Sequence, residues 1–239
     1  MVEKKIIEYA ITKSILVNKC SVTLTQIKES ISSTIKKLSD NDEEYNKLMD
    51  TIPKFYRDHY NLDHEELYVQ GYDGKEYINT EGDDGSVSVP MEVAEKGYKN
   101  GILLAYHNHP DASCIQSIGD FQVCGSINEK YMITVAKDGI MITKNTGWDS
   151  RGTRASFLGA VRAEYEQPIV EMFYNEPKWG FQELQQGLRD GSISQEEANK
   201  KGTKILNDYY SENMPNVIKG LQSKFNEYDA DITVAYVPI

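Results

Sequence analysis

Cysteine is scarce in this chain: Cys20, Cys114 and Cys124 are the only three among 239 residues. So few thiols, in an odd number, exclude a paired disulfide framework and point to a reducing compartment. Long apolar runs are also missing. Nothing approaches the roughly 18 consecutive apolar residues that a membrane-spanning helix needs. The opening residues, Met1-Val2-Glu3-Lys4-Lys5, lack the apolar stretch and small-residue cleavage site of a secretory signal. A cytoplasmic protein is therefore expected. Positive charge is in deficit, with 26 Lys and Arg against 37 Asp and Glu, a net charge of −11, and the basic residues form no stripe. Phosphate backbones are repelled on average by such a chain, so duplex nucleic acid is not an expected partner. Histidine numbers only four.

Two of those four fall in Tyr106-His107-Asn108-His109-Pro110, with Ser117-Ile118-Gly119-Asp120 six residues further on. The run Gly101-Ile102-Leu103-Leu104-Ala105 before them reads as a buried strand. Strand side chains alternate faces, so His107 and His109 project to the same side at its end. Pro110 cannot continue a ladder and sends the chain into a loop. A helix is predicted to start near Ser117, with Asp120 in its first turn. Two imidazoles and a carboxylate suit zinc, and three protein ligands leave a tetrahedral position for an activated water. Ser117 with Asp120 also has the spacing of a helix-capping pair, and cap and ligand roles are compatible.

Residues 107–120 resemble, without a gap, the signature of the JAMM (MPN-plus) zinc metalloprotease family: His-x-His, seven residues, Ser-x-x-Asp. The His-Asn-His-Pro wording is also similar to RadC-type sequences. The resemblance implies that His107, His109 and Asp120 bind Zn2+ and that Ser117 helps to hold a tetrahedral intermediate. It further implies an upstream Glu as general base, at the head of an early strand. In His64-Glu65-Glu66-Leu67-Tyr68-Val69 an acidic pair opens an apolar run. Glu66, adjacent to that run, is the preferred base, followed by Glu65, then Glu76 or Glu81. The base must reach the reacting water, which requires its strand to neighbour the histidine strand.

The surrounding elements predict an α/β fold, a mixed β-sheet sandwiched by helices. Strands are expected on either side of the Tyr72-Asp73-Gly74-Lys75 turn, a helix over Pro90 to Lys99, and a hairpin of Tyr131–Val135 and Ile140–Lys144. The resemblance implies a JAMM/MPN-like, cytidine-deaminase-like core at 42–148. Residues 1–41 form an expected helical N-terminal segment, with Ile27, Ile31, Ile35 and Leu38 at helical spacing. A second helix is expected from Glu43 to His59. Residues 149–239 are expected to be mainly helical, over Arg154–Phe173, Gly180–Leu188 and Glu196–Tyr210, punctuated by Pro168, Pro177 and Pro215. The final Asp231–Val237 alternates like a strand. Gly82, Asp83, Asp84 and Gly85 read as a mobile turn.

Cys114, in the loop between the ligands, is expected to be a buried or unpaired thiol rather than a metal ligand, and Cys124 a core residue. Asp190 to Glu197 mimics half of a calcium loop, but Leu188 would occupy a ligand position and has no oxygen to offer. A helix connection capped by Ser194 is expected instead, with no calcium. Three functions follow. The first is a zinc peptidase or isopeptidase acting on a protein or peptide, with ubiquitin-like conjugates the substrate that the resemblance suggests. The others are a RadC-like protein of DNA metabolism or mobile elements, and a noncatalytic MPN-type scaffold.

Overall fold

The structure is a computed structural model that describes residues 22–83, 85–110, 112–147 and 151–239. The expected N-terminal helix content before residue 22, which includes Cys20, lies outside the described residues. Among the described residues the chain forms seven α-helices, a short 3-10 turn and six strands. Helices α1 (Leu24–Leu38) and α2 (Asp42–His59) precede strands β1 (Leu67–Gly71) and β2 (Glu76–Asn79). Helix α3 (Met91–Asn100) leads to β3 (Ile102–Asn108), then α4 (Ile118–Ile127), β4 (Glu129–Ala136) and β5 (Gly139–Asn145). The remainder is α5 (Arg151–Asn175), α6 (Phe181–Asp190), α7 (Gln195–Glu227) and β6 (Ile232–Pro238).

The strands form one mixed sheet in the order β2-β1-β3-β4-β5-β6. Only the β3/β4 pair is parallel. A parallel pair requires a crossover, and α4 supplies it, carrying the predicted site loop out of the C-terminal end of β3. Helices cover both faces. On one side Ile27, Ile31, Ile35 and Leu38 of α1, with Leu48, Ile52 and Phe55 of α2, pack on Leu104, Tyr106, Ile133 and Ile142 of the sheet. Each fully buried aliphatic of this kind contributes about 1.5–3 kcal/mol. The α1–α2 junction is tied to β4 where the Tyr131 hydroxyl, with one proton to give, lies 3.0 Å from Leu38 O and 2.8 Å from Glu44 Oε2. On the other side Phe121, Leu158, Met214, Leu221 and Phe225 of α4, α5 and α7 pack on Met132, Met141 and Val234. A smaller cluster sets Val93 and Ile127 against Leu67, Val69 and Ala105. The α/β expectation is met in this mixed sheet between helical layers.

Capping matches composition where the sequence offers it. Thr23 and Gln26 form a reciprocal box at α1, Asn41 caps α2, and Ser194 accepts from Glu197 N at the start of α7. The last of these is the helix connection expected in place of a calcium loop. Proline is where expectation and structure part. Pro168 lies inside α5, as it does in the expected Arg154–Phe173 helix, but α7 runs through Pro215 to Glu227, well past the expected end at Tyr210. An interior proline costs about 3 kcal/mol, yet Met214, Val217, Ile218, Leu221 and Phe225 around Pro215 are all buried. Burying that stripe outweighs one missing hydrogen bond and its clash. Residues 232–238 then add β6 antiparallel to β5, so helices and strand from beyond residue 148 share the sheet and its core.

Candidate metal centre

Pairing between β1 and β3 sets the stage for the site. Their antiparallel register places Leu67 opposite His107 and Val69 opposite Ala105. Register partners share a face, so Leu67, Val69, Ala105 and His107 point to the side of α3 and α4. His107 therefore faces α4, and across the parallel ladder its partner Thr134 brings Oγ1 within 3.3 Å of His107 Nε2. His109 lies one residue beyond β3 but is still held in line, because its N–H donates to Val135 O at 2.9 Å.

The returning loop completes the set. Ser117 is the N-cap of α4, with its Oγ accepting from Asp120 N at 3.1 Å. Asp120 Oδ2 accepts in return from Ser117 N at 2.6 Å. The capping reading is realised, and the same reciprocal box turns the Asp120 carboxylate toward the imidazoles. Ligand atoms of His107, His109 and Asp120 all lie within 4.8 Å of one another. The separations are 3.1 Å between the two Nε2 atoms, 3.4 Å from His107 Nε2 to Asp120 Oδ1 and 3.7 Å from His109 Nε2 to Asp120 Oδ2.

A tetrahedral zinc ion with bonds of about 2.0–2.1 Å would set its ligand atoms about 3.3 Å apart, close to the 3.1 Å between the two Nε2 atoms, while Asp120 turns one oxygen toward each imidazole. Donor chemistry agrees. His109 Nδ1 lies 2.9 Å from Ser113 O, and a carbonyl can only accept, so Nδ1 carries the proton and Nε2 presents its lone pair to the centre. Burial by itself disfavours a charged Asp120. The two imidazoles overcome it and hold this carboxyl well below the ordinary range. Burial likewise works against a charged His109, and Asp120 with Glu65 outweighs it and raises the imidazole's pKa. A dication requires the carboxylate ionised and both imidazoles neutral, so the raised His109 pKa sets protons in competition with a metal for Nε2.

Glu66, the expected base, is not at this centre. Its even position turns it to the opposite face, where Oε2 meets His59 Nε2 at 3.1 Å and Oε1 meets His64 Nε2 at 3.0 Å. Glu65 is on the site's side. It is only 8% exposed, and its pKa is raised by burial, with His109 and His107 pulling it down and Asp120 pushing it up. Extending the β1/β3 register by two residues sets Glu65 across from His109. Glu76 accepts from Gln70 Nε2 at 2.9 Å on the outer strands, and Glu81 is exposed beyond β2. The turn at Gly82 and Asp83 abuts Glu65, with Glu65 N donating to Asp83 O at 2.7 Å. A Cβ on Gly82 would stand 2.1 Å from Glu65 O, so only glycine allows that approach.

Several supports were not legible in the sequence. Arg162 of α5, almost wholly buried, donates from Nε to Gln116 O at 2.9 Å, fixing the residue before Ser117. Gln116 Nε2 donates to Met132 O at 3.1 Å, and Cys114 N donates to Asp138 Oδ1 at 2.9 Å. The Cys114 thiol is buried and unpaired, and burial raises its pKa well above the ordinary value. Cys124, on α4, is buried in the core. No local signal in the sequence marks Arg162 or Gln116, because their partners are 46 and 16 residues away. Comparison of the chain with protein-family models, with curated proteins and with solved structures finds no match to any of them.

Proposed function

We propose that this chain is a zinc-dependent hydrolase of JAMM type with a JAMM/MPN-like core, cleaving a peptide or isopeptide bond. The carrying observation is the convergence of His107, His109 and Asp120 beside a buried Glu65 on the same face of the sheet. A zinc ion held by those three side chains supplies Lewis acidity, polarising an amide carbonyl and lowering the pKa of a water toward neutrality. Glu65, rather than Glu66, takes the proton of the attacking water and returns it to the leaving amine. Its burial-raised pKa suits both halves of that transfer. Ser117 uses a lone pair on Asp120 N, which leaves its hydroxyl proton available to the oxyanion. Ser113 O fixes the His109 tautomer, and the α4 cap fixes the Asp120 carboxylate.

A net charge of −11 favours neutral or cationic substrates. An amide on a lysine side chain, as in a ubiquitin-like conjugate, is of that kind. The test pairs metal analysis of the purified protein with hydrolysis of peptide-linked and isopeptide-linked fluorogenic reporters. One zinc per chain is expected, with loss of the metal in His107→Ala. Glu65→Gln is expected to keep the metal and to lose turnover by about 10²–10⁴-fold. Full turnover in Glu65→Gln would overturn the assignment of the base. Salt-dependent binding of duplex DNA without amide cleavage would redirect the reading to a RadC-like role. Neither zinc nor cleavage would leave a noncatalytic scaffold.

A further inference from the structure

Asn108 lies between the two histidine ligands, and strand alternation turns its side chain away from the metal centre. It is 1% exposed. Its Oδ1 accepts from Glu66 N at 2.7 Å, and its Nδ2 donates to His64 O at 2.8 Å. Those two groups belong to the peptide planes on either side of the Glu65 Cα. The His64 carbonyl lies in the plane that precedes it, and the Glu66 N–H lies in the plane that follows. Holding both planes sets φ and ψ of Glu65 together, and with them the direction of its Cα–Cβ bond.

The backbone ladder does not do this. Register pairing of β1 with β3 begins at Leu67 and His107, one step short of Glu66 and Asn108. At that step a single carboxamide, with one acceptor and one donor, serves both backbone groups. Aspartate lacks the donor and alanine lacks both. The far side of the segment is held as well, by Glu65 N on Asp83 O and by the Glu66 carboxylate between His59 and His64.

From this geometry we infer that Asn108 is a positioning residue for Glu65, aligning the base from the opposite face of the sheet through the two peptide groups that flank it. The inference rests on the proposed role of Glu65. Its test is arranged so that the two fail differently. Asn108→Ala and Asn108→Asp are expected to bind one zinc per chain, with affinity within about threefold of wild type, because all three ligands stay in place. The Glu66 amide, freed from its acceptor, is expected to exchange its hydrogen faster in Asn108→Ala. Crystal structures of the zinc-loaded variants are expected to show the Glu65 carboxylate displaced while His107, His109 and Asp120 superpose on wild type. On an isopeptide-linked reporter, kcat is expected to fall by about 10–100-fold at a KM near wild type. In a Glu65→Gln background the same Asn108 substitution is expected to change the residual rate less than about twofold, since the group it aims is gone.

A Glu65 carboxylate unmoved in the Asn108→Ala and Asn108→Asp structures overturns the inference, as does a full additive loss in the double variant. Wild-type turnover in Glu65→Gln alone instead overturns the assignment of the base. Asn108→Asp keeps the volume and the Glu66 acceptor, which guards against a result that reports only loss of folding. The crystallographic comparison needs no substrate.

Discussion

Glu129 offers a test of the site's electrostatic surroundings that does not depend on any substrate. It opens β4, is 3% exposed, and its pKa is raised from 4.5 to about 8, by burial first and then by the negative charge of Asp120. The folded state therefore holds a proton that the unfolded chain releases at lower pH. Stability from this group is fully present below about pH 4.5, declines as pH rises, and is lost once pH passes about 8. The gap of about 3.5 pH units, at about 1.4 kcal/mol each, amounts to about 5 kcal/mol. Glutamine keeps the shape and cannot ionise, so Glu129→Gln removes the pH-dependent part. Denaturant unfolding of wild type and Glu129→Gln in the presence of a chelator is the assay. Near pH 5 the two are expected to differ by less than about 1 kcal/mol, and near pH 9 the variant is expected to be more stable by about 3–5 kcal/mol. Zinc is expected to shrink the difference, because a dication on Asp120 cancels part of the charge that raises Glu129. Parallel pH profiles for the two proteins would refute the reasoning, since they would mean that Glu129 reaches solvent or a cation in solution.

Two further substitutions probe the site's architecture. Ser117→Ala is expected to retain zinc, to lower reporter turnover by about 10²-fold through loss of an oxyanion donor, and to cost about 1 kcal/mol in thermal unfolding through loss of the α4 cap. A variant that loses the stability but none of the turnover would assign Ser117 to capping alone. Gly82→Ala is expected to cost about 1–3 kcal/mol and to reduce turnover with zinc retained, because the new methyl group must displace the Glu65 carbonyl. Unchanged melting and unchanged rates together would show that the turn yields freely, against the packing described here.

Much of the architecture was written locally. The spacing of Ile27, Ile31, Ile35 and Leu38 marks a helix, and these four residues are its buried face. The hairpin around Lys137-Asp138-Gly139 and the alternating Asp231–Val237 segment both appear as strands. Local rules failed where distant packing dominated. The helix expected to stop at Tyr210 instead continues through Pro215 to Glu227, with its apolar stripe buried.

The centre itself divides in the same way. By itself the sequence determined that His107 and His109 share a face and that Asp120 sits in the first turn of a helix, because strand alternation and helix capping act within a few residues. Tertiary structure alone put Glu65, and not Glu66, on the face of the histidines. Adjacent residues on a strand point to opposite faces, and which face meets the histidines depends on the register between β1 and β3, residues some 40 apart in the chain. The same is true of Asn108, Gly82 and Arg162: each acts on a backbone group far along the chain, and only folding brings that group within reach.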